Sequence, residues 1–173
     1  MRKKIYSLLL LTALLWGMTA CGGDDEPAPE LEGIQVAMDL PADWDDTNQF
    51  GDPVVLVGIS PLEAGSDTFR ENINVVTEEA PGLTLESYYG STLEDLSNFP
   101  DFALLSSADT TVNEYEAKKI IFTFDSGQET LQLMDYIFYE QETGIVVTCT
   151  ALERSFDRYE ATFNQIVGTI QLQ

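Results

Sequence analysis

The sequence contains no histidine, two cysteines and only eight lysines and arginines, against 30 aspartates and glutamates in 173 residues. Without histidine, Ser-His-Asp and Cys-His catalysis and metal binding through imidazole are excluded. The formal net charge of −22 argues against nucleic-acid binding, because phosphate recognition needs a basic surface. Hydrophobic residues make up 44% of the chain, which is typical of a folded domain and not of a disordered chain.

Residues 1–20 have the pattern of an export signal. The basic residues Arg2, Lys3 and Lys4 are followed by an apolar run over residues 5–16. A run of about 12 residues suits the core of a signal peptide, whereas a membrane-spanning helix needs about 20. The sequence therefore predicts a signal peptide over residues 1–20.

This signal ends in Met18-Thr19-Ala20-Cys21, which resembles the lipobox of bacterial lipoproteins. In that family the cysteine is acylated and the chain is cut before it, which implies that Cys21 becomes the lipidated N-terminus. Methionine stands where leucine is usual, but the two side chains are similar in shape and polarity. The resemblance implies a protein that is lipid-anchored to the outer membrane. The alternative is an ordinary signal peptide with a cysteine near its end.

Residues 21–32 are expected to form the lipidated cysteine and an acidic, flexible tether. The segment Gly22-Gly23-Asp24-Asp25-Glu26-Pro27 is similar to the export signal on surface-exposed lipoproteins of Bacteroidetes-type bacteria, which implies exposure on the cell surface. A plain acidic linker is the alternative. Cleavage removes three basic residues and no acidic ones, so five basic residues then face 30 acidic ones and the net charge is near −25. Such a charge keeps the tethered domain soluble.

Residues 33–173 are expected to form a single domain. Alternating and apolar runs predict strands at 33–40, 54–59, 69–76, 116–124, 130–140, 144–152 and 169–172, with a further one near 102–107. Hydrophobic periodicity predicts helices over 84–97 and 155–167, with Thr84 and Ser155 as N-caps. Strand 130–140 is apolar at both parities, so its sheet needs cover on both faces. The expected fold class is α+β, an antiparallel sheet flanked by helices on both faces.

This order of elements resembles the PsbP/DcrB superfamily. The carrying segments are Met38-Asp39-Leu40-Pro41-Ala42-Asp43-Trp44, Asn72-Ile73-Asn74-Val75, the helix from Thr84, the hairpin strand 117–124, and Phe156, Tyr159, Phe163 and Ile166 before the last strand. The resemblance implies an α/β/α sandwich over residues 33–172. It also implies a non-enzymatic role for an extrinsic, often lipid-anchored protein that assists membrane complexes. Metal binding through histidine, seen in some relatives, does not carry over.

The densest acidic group lies in the loop 43–52. Its members are Asp43, Asp45, Asp46, Asn48 and Asp52. Ca²⁺ prefers such oxygen ligands. The spacing does not match the Ca²⁺-binding EF-hand loop, because counting from Asp43 puts Asn48 at the glycine position and Val54 at the glutamate position. Two interpretations stay open, a solvated acidic loop and a specific Ca²⁺ site at Asp43, Asp45, Asp46 and Asp52. No resident cofactor is expected.

Three aromatic residues are candidate contacts for a partner, because Trp and Tyr favour interfaces. They are Trp44, Tyr88 and Tyr89. For Trp44 the alternative is packing over one end of the sheet, and for the tyrosines it is core packing. Cys149 lies in an alternating strand and is expected to be a buried, unreactive thiol.

Together these features predict a non-enzymatic, lipid-anchored cell-envelope protein, an accessory, assembly or binding factor for a membrane or surface protein complex. Its expected partners are the membrane, through the acyl anchor, and an envelope protein, but not nucleic acid. The first alternative is a domain that binds a small ligand or Ca²⁺ through the loop 43–52. The second is a hydrolase that uses a carboxylate pair, which needs an acidic cleft around two carboxyl groups of different pKa.

Overall fold

The structure, a computed structural model, describes residues 34–47, 53–63, 65 and 68–173. The predictions for the signal peptide, Cys21, the tether, Asn48 and Asp52 lie outside these residues. The elements in chain order are β1 Val36–Ala37, β2 Asp45–Thr47, β3 Val54–Ile59, β4 Asn72–Glu79, α1 Leu85–Leu96, β5 Ala103–Val112, β6 Tyr115–Asp125, β7 Thr130–Glu140, β8 Thr143–Leu152, α2 Phe156–Val167 and β9 Gln171–Leu172. Neither described helix has the length and apolarity needed to span a membrane.

Strands β2 to β8 form one antiparallel sheet in the order β2-β3-β4-β8-β7-β6-β5. Strands β5 to β8 form a meander, and β8 then pairs with β4. Strands β1 and β9 pair in a separate two-stranded sheet. Helix α1 lies against β6 and β7, and α2 lies against β8. The predicted α+β class with a large antiparallel sheet is confirmed at this level.

The main hydrophobic core lies between α2 and one side of the sheet, which we call the α2 side. Because successive strand residues point to opposite sides, alternate residues of β7 and β8 share this core. They are Met134, Tyr136, Phe138, Ile145, Val147, Cys149 and Ala151. The buried residues of α2 that pack with them are Phe156, Phe163, Ile166 and Val167. Cys149 is fully buried, as the sequence predicts, and burial raises the pKa of its thiol.

Thr84 caps α1 as predicted. Its hydroxyl accepts a hydrogen bond from the Ser87 backbone N–H at 3.2 Å, and the Ser87 hydroxyl accepts one from the Thr84 N–H at 2.8 Å. This reciprocal pair satisfies two N–H groups that the first turn of a helix leaves without partners. The sequence therefore determines where this helix begins.

Ser155 precedes α2 as predicted, but its side chain does not cap the helix. Its hydroxyl instead donates to the buried carboxylate of Glu71 at 2.9 Å. The Ser155 hydroxyl bonds to Glu71 instead of capping α2. A buried carboxylate without a donor would cost more free energy than a helix end without a side-chain cap. A negative group near the first turn of α2 also suits the helix dipole.

The predicted strand over 33–40 is wrong beyond Ala37, where β1 ends. The Asp39 N–H donates to the Thr169 hydroxyl at 2.8 Å and not to a neighbouring strand. Leu40 then packs in the space above Gly58, where a Cβ atom would meet its side chain. The predicted loop that follows also contains a strand, β2, because pairing with β3 overrides the low strand propensity of aspartate.

Gly144 is the second residue of β8, which begins directly after a two-residue turn. Gln141 and Glu142 have positive φ angles of 48° and 61°, which is the geometry of a type I′ hairpin. The Tyr88 ring of α1 lies so close to Gly144 that any Cβ atom there would overlap the ring. The absence of a side chain at Gly144 therefore lets α1 approach the sheet.

We expect Gly144→Ala to destabilise the fold by about 1–3 kcal/mol, because the added methyl group displaces the Tyr88 ring. The measurement is the free energy of unfolding in denaturant. The matched control is Gly90→Ala in α1, where nothing lies within 4 Å of an added Cβ, and which should stabilise by about 0.5–1 kcal/mol. In a Tyr88→Ala background the Gly144→Ala cost should largely vanish. An unchanged cost in that background contradicts the explanation.

Candidate functional site

The predicted acidic group is not drawn together where the structure describes it. Asp43 lies in a turn, whereas Asp45 and Asp46 are neighbours in β2, and all three are exposed. Adjacent strand residues point to opposite sides of a sheet, so the carboxylates of Asp45 and Asp46 diverge. Among the described residues, no three acidic or cysteine side chains are grouped to hold a metal ion.

Asp45 has a basic partner. Its carboxylate accepts a hydrogen bond from Arg70 at 2.5 Å, and the same guanidinium donates through Nε to the Ser60 carbonyl. The side chain of Asp45 is 68% exposed, so the pair adds little to stability. Arg70 therefore neutralises one of the four carboxylates of the predicted cation site.

Trp44 is half-buried and packs at the edge of the core. Its ring meets Phe163 of α2 edge-on, with 6.2 Å between the centroids. Edge-to-face aromatic pairs add about 0.5–1.5 kcal/mol beyond the buried area. Trp44 thus attaches the segment before β2 to α2.

The two tyrosines of α1 have different surroundings. Tyr88 is 3% exposed, contacts the Tyr139 ring, and donates its hydroxyl to Glu78 at 2.8 Å. Burial and the charge of Glu78 raise the pKa of Tyr88 above its ordinary value, so its hydroxyl stays a donor. Tyr88 therefore joins α1 to the sheet and is not available to a partner.

Tyr89 is half-buried at the surface between α1 and β5. Its hydroxyl lies 2.8 Å from the Ser107 hydroxyl of β5, and the Lys118 ammonium lies 5.4 Å above its ring. Lys118 also pairs with Asp109 at 2.6 Å and with Glu86. These carboxylates raise the pKa of Lys118. We call Glu86, Tyr89, Ser107, Asp109 and Lys118 the α1–β5 cluster, which is a charged, partly apolar surface.

Glu71 is a buried carboxylate that sequence reasoning did not single out. It is 3% exposed and accepts hydrogen bonds from Ser155 at 2.9 Å and from Ser60 at 3.3 Å. Nearby, Glu63 accepts from Arg158 at 2.8 Å and from the Tyr159 hydroxyl at 2.9 Å. These bonds attach the segment after β3 to α2, so this group of acids has a structural role.

Asp135 is the second buried acid that sequence reasoning missed. It lies in the middle of β7, is 0% exposed, and neither carboxylate oxygen has a hydrogen-bond partner. Thr148 is its cross-strand neighbour on β8, and the Thr148 hydroxyl also lacks a partner. Asn74 continues the same row on β4 and is buried too. Asp135 thus belongs to a polar row inside an otherwise apolar sheet.

Burial raises the pKa of Asp135 from 3.8 to about 7, and the nearby Thr148 hydroxyl lowers it by a smaller amount. The two groups do not meet hydrogen-bond geometry, so this opposing effect is weak. Burial disfavours the charged form because the interior solvates it poorly. The carboxyl therefore holds its proton to a much higher pH than an exposed aspartate does.

A sequence signal for Asp135 does exist. One parity of β7 holds Leu131, Leu133, Asp135, Ile137 and Tyr139, so an acid stands in the centre of an apolar alternation. Acids are almost never fully buried unless paired, which makes such a position unusual. The pattern marks the position, but only the tertiary structure shows that no partner faces it.

We expect Asp135→Asn to remove the part of the pH dependence of stability that comes from the buried Asp135 carboxyl. The folded-state pKa is raised above the unfolded value, so the wild type loses stability as pH rises from about 4 to about 7, and the loss is then constant. Relative to the wild type, the variant should gain about 2–3 kcal/mol in free energy of unfolding between pH 5 and pH 8. Denaturant unfolding at several pH values measures this.

The matched control is Asp95→Asn on the exposed surface of α1, which also removes one negative charge. Its effect should stay within about 0.5 kcal/mol at every pH. A difference between Asp135→Asn and the wild type that does not change with pH would refute the buried-charge explanation.

For the loop 43–52 we expect millimolar Ca²⁺ to leave the melting temperature unchanged, because Arg70 occupies the Asp45 carboxylate. A ligand at 100 times its dissociation constant would stabilise by about 2.7 kcal/mol, which a thermal shift detects. Stabilisation by Ca²⁺ that disappears in Asp43→Asn would contradict this and restore the ion-binding alternative.

No protein-family model and no curated protein matches this sequence. Solved structures do match. The chain is similar to LpqN, involved in cell envelope biogenesis of Mycobacterium tuberculosis, at 13% identity and a TM-score of 0.64, over 82% of this chain and 86% of that one.

Two other solved structures have a similar fold. The chain matches cyanobacterial PsbP (CyanoP) from Synechocystis sp. PCC 6803 at 15% identity and a TM-score of 0.54, over 90% of this chain and 99% of that one. It also matches a putative regulator of unknown function, PA94, from Pseudomonas aeruginosa at 15% identity and a TM-score of 0.58, over 78% and 94%. At these identities the likeness is one of fold, and that fold is PsbP-like.

Proposed function

We propose that this chain is a non-enzymatic, lipid-anchored protein of the cell envelope, an accessory or assembly factor that acts by binding another protein. The observation that carries the proposal is the fold likeness to LpqN, whose description concerns cell envelope biogenesis, over 82% of this chain. The fold likeness to CyanoP supports the same kind of role. It agrees with the resemblance of the sequence to the PsbP/DcrB superfamily, which implies an extrinsic accessory protein.

The proposed anchor is Cys21, with residues 1–20 as a lipoprotein signal peptide and residues 21–32 as the tether. Each acyl CH₂ group that enters lipid contributes about 0.8 kcal/mol, and stable anchoring needs more than one chain. The three chains of a lipoprotein cysteine meet this need. The acidic, glycine-containing tether further supports an outer-membrane protein that faces the cell surface.

We also infer that the two helices cover opposite faces of the sheet, as in an α/β/α sandwich of the PsbP/DcrB type. Tyr88 of α1 contacts Tyr139, whereas Asn164 of α2 accepts a hydrogen bond from Tyr136 at 2.7 Å. Residues three apart in a strand point to opposite sides, which supports this arrangement. A domain covered in this way offers strand edges, loops and outer helix surfaces to a partner.

The partner surface we favour is α1 and its neighbour β5, not the Trp44 loop. Trp44 packs on Phe163, whereas Tyr89 and its α1–β5 cluster lie at the surface. Tyr is enriched in binding hot spots because it offers a large, rigid contact area. In this cluster a half-buried aromatic ring and paired charges occur together at the surface.

The anchor is tested by metabolic labelling with an acyl chain and by the mass of the mature N-terminus. We expect label on the wild type and none on Cys21→Ala. The matched control is Cys149→Ala, which removes the other cysteine and should keep the label. Label that survives Cys21→Ala, or a wild-type chain that carries none, would reject the lipid anchor.

The binding role is tested by a crosslinked pull-down of the full-length protein from its own cells. We expect one recurrent, stoichiometric membrane or surface protein, which is weakened or lost with Cys21→Ala because the unanchored chain is no longer held beside it. Recovery of nothing above background from wild-type cells would reject the accessory role.

A further inference from the structure

β5 is an edge strand, and most of its residues are exposed to solvent. It is last in the strand order, and in the described part of the chain only β6 pairs with it. All residues from Ala103 to Asp109 are exposed, in a strand of ten. An edge strand presents a row of backbone N–H and C=O groups without partners, which is a template for a further strand.

The opposite edge is protected, and β5 is not. Among the described residues, which stop at Thr47 on this side of the gap, β2 has three residues, and two of them are aspartates. β5 carries no proline and no lysine, and its one charged residue is Asp109, which Lys118 neutralises at 2.6 Å. Natural proteins block edges with short strands, lysine or proline. The usual devices against strand pairing are thus present at β2 and mostly absent from β5.

A bulge limits the useful length of β5. The pairing with β6 shifts between Leu104 and Ser106, and it is regular from Ser106 to Val112. This leaves seven residues in continuous register, which is long enough for a typical strand of five or six residues. Leu104 and Leu105, at the bulge, are 41% and 55% exposed. They offer an apolar contact at one end of that run.

The edge is held in place by α1. Tyr89 reaches Ser107 at 2.8 Å, and Lys118 ties Asp109 to Glu86. A surface that is already ordered binds without the entropic cost of ordering it. The contacts of the α1–β5 cluster therefore keep β5 in a fixed position before a partner binds.

The charge of the domain indicates which kind of partner binds along β5. The five basic residues of the domain each have a partner among the described residues, namely Arg70 with Asp45, Lys118 with Asp109 and Glu86, Lys119 with Asn164, Arg154 with Glu129 and Arg158 with Glu63. A second copy of this chain would bring a further net charge of −22. A basic segment would meet acids at both ends of β5, at Asp101 and at Glu114, both of them exposed. Charge complementarity favours the basic partner.

We propose that β5 binds an extended, Lys- or Arg-bearing segment of a partner protein, which adds to the sheet as a strand along Ser106–Val112. Backbone hydrogen bonds supply the attachment, as in other cases of strand addition. Apolar side chains of the segment cover Leu104 and Leu105, and basic side chains lie near Asp101 and Glu114. The inference rests on the proposed function, since it names the surface through which the protein partner binds.

The test places a photo-crosslinking residue, p-benzoylphenylalanine, in the full chain in its own cells. The positions are Ser106, Ala108 and Thr110, one at a time, with the exposed Glu153 as the control position. Strand addition predicts that crosslinks from the three sites fall on one partner segment and shift by two residues from site to site. That segment should carry Lys or Arg, and Glu153 should not capture it.

Two substitutions of opposite charge at the exposed Ser106 test whether the bound segment is basic. With the crosslinker at Thr110, Ser106→Lys should lower the yield by about fivefold, because it places like charge opposite the segment. Ser106→Glu, of similar size, should leave the yield unchanged or raise it. Both variants must unfold at the wild-type denaturant midpoint, so that a fall in yield reports the edge and not the fold.

Three results would overturn the inference. They are crosslinks that do not follow a two-residue step, crosslinks to a second copy of this chain, and equal effects of Ser106→Lys and Ser106→Glu. The proposed function is judged separately by the pull-down. A recovered partner with no crosslink at β5 leaves the accessory role in place and removes the edge as its surface.

Discussion

The structure depends on the burial of two central strands, β7 and β8. Their residues from Leu133 to Phe138 and from Gly144 to Leu152 are buried at both parities, so each side chain must find cover. Burying a large apolar side chain contributes about 1.5–3 kcal/mol. The largest fully buried side chains of the domain include Leu131, Met134, Ile137, Phe138 and Ile145 of these two strands. The hairpin turn between the strands, the absence of a side chain at Gly144 and the contact with Tyr88 all follow from this requirement.

Much of the fold can be predicted from the sequence where local signals and tertiary packing agree. The capping pair at Thr84, the alternation in β7 and the hydrophobic stripe of α2 each indicate one structure, and the structure has it. Prediction fails where a distant residue decides. Glu71 takes the hydroxyl of Ser155, β3 draws Asp45 into a strand, and Thr169 takes the backbone of Asp39. Such partners lie about 15 to 130 residues away and leave no local pattern.

The candidate surfaces could be predicted only in part. Tyr88 and Tyr89 are adjacent and chemically alike, yet the helix turns one onto Gly144 and the other towards Ser107. The periodicity indicates that one of them faces outward, but the choice depends on where α1 meets the sheet. The openness of β5 is still less visible, because an edge strand and a central strand differ in their neighbours and not in their own residues.

Because basic residues are scarce, most acids in the described part of the chain meet solvent or a hydroxyl group and not a cation. The carboxyl of Asp135 meets neither solvent nor a hydrogen-bond donor. In the unfolded chain it is ionised at neutral pH, while in the sheet its pKa is about 7. Because the pKa is raised into the neutral range, folding at neutral pH takes up protons from the surrounding buffer. The heat of folding of this domain must then vary with the ionisation enthalpy of that buffer, so proton uptake is a measurable part of forming the sheet.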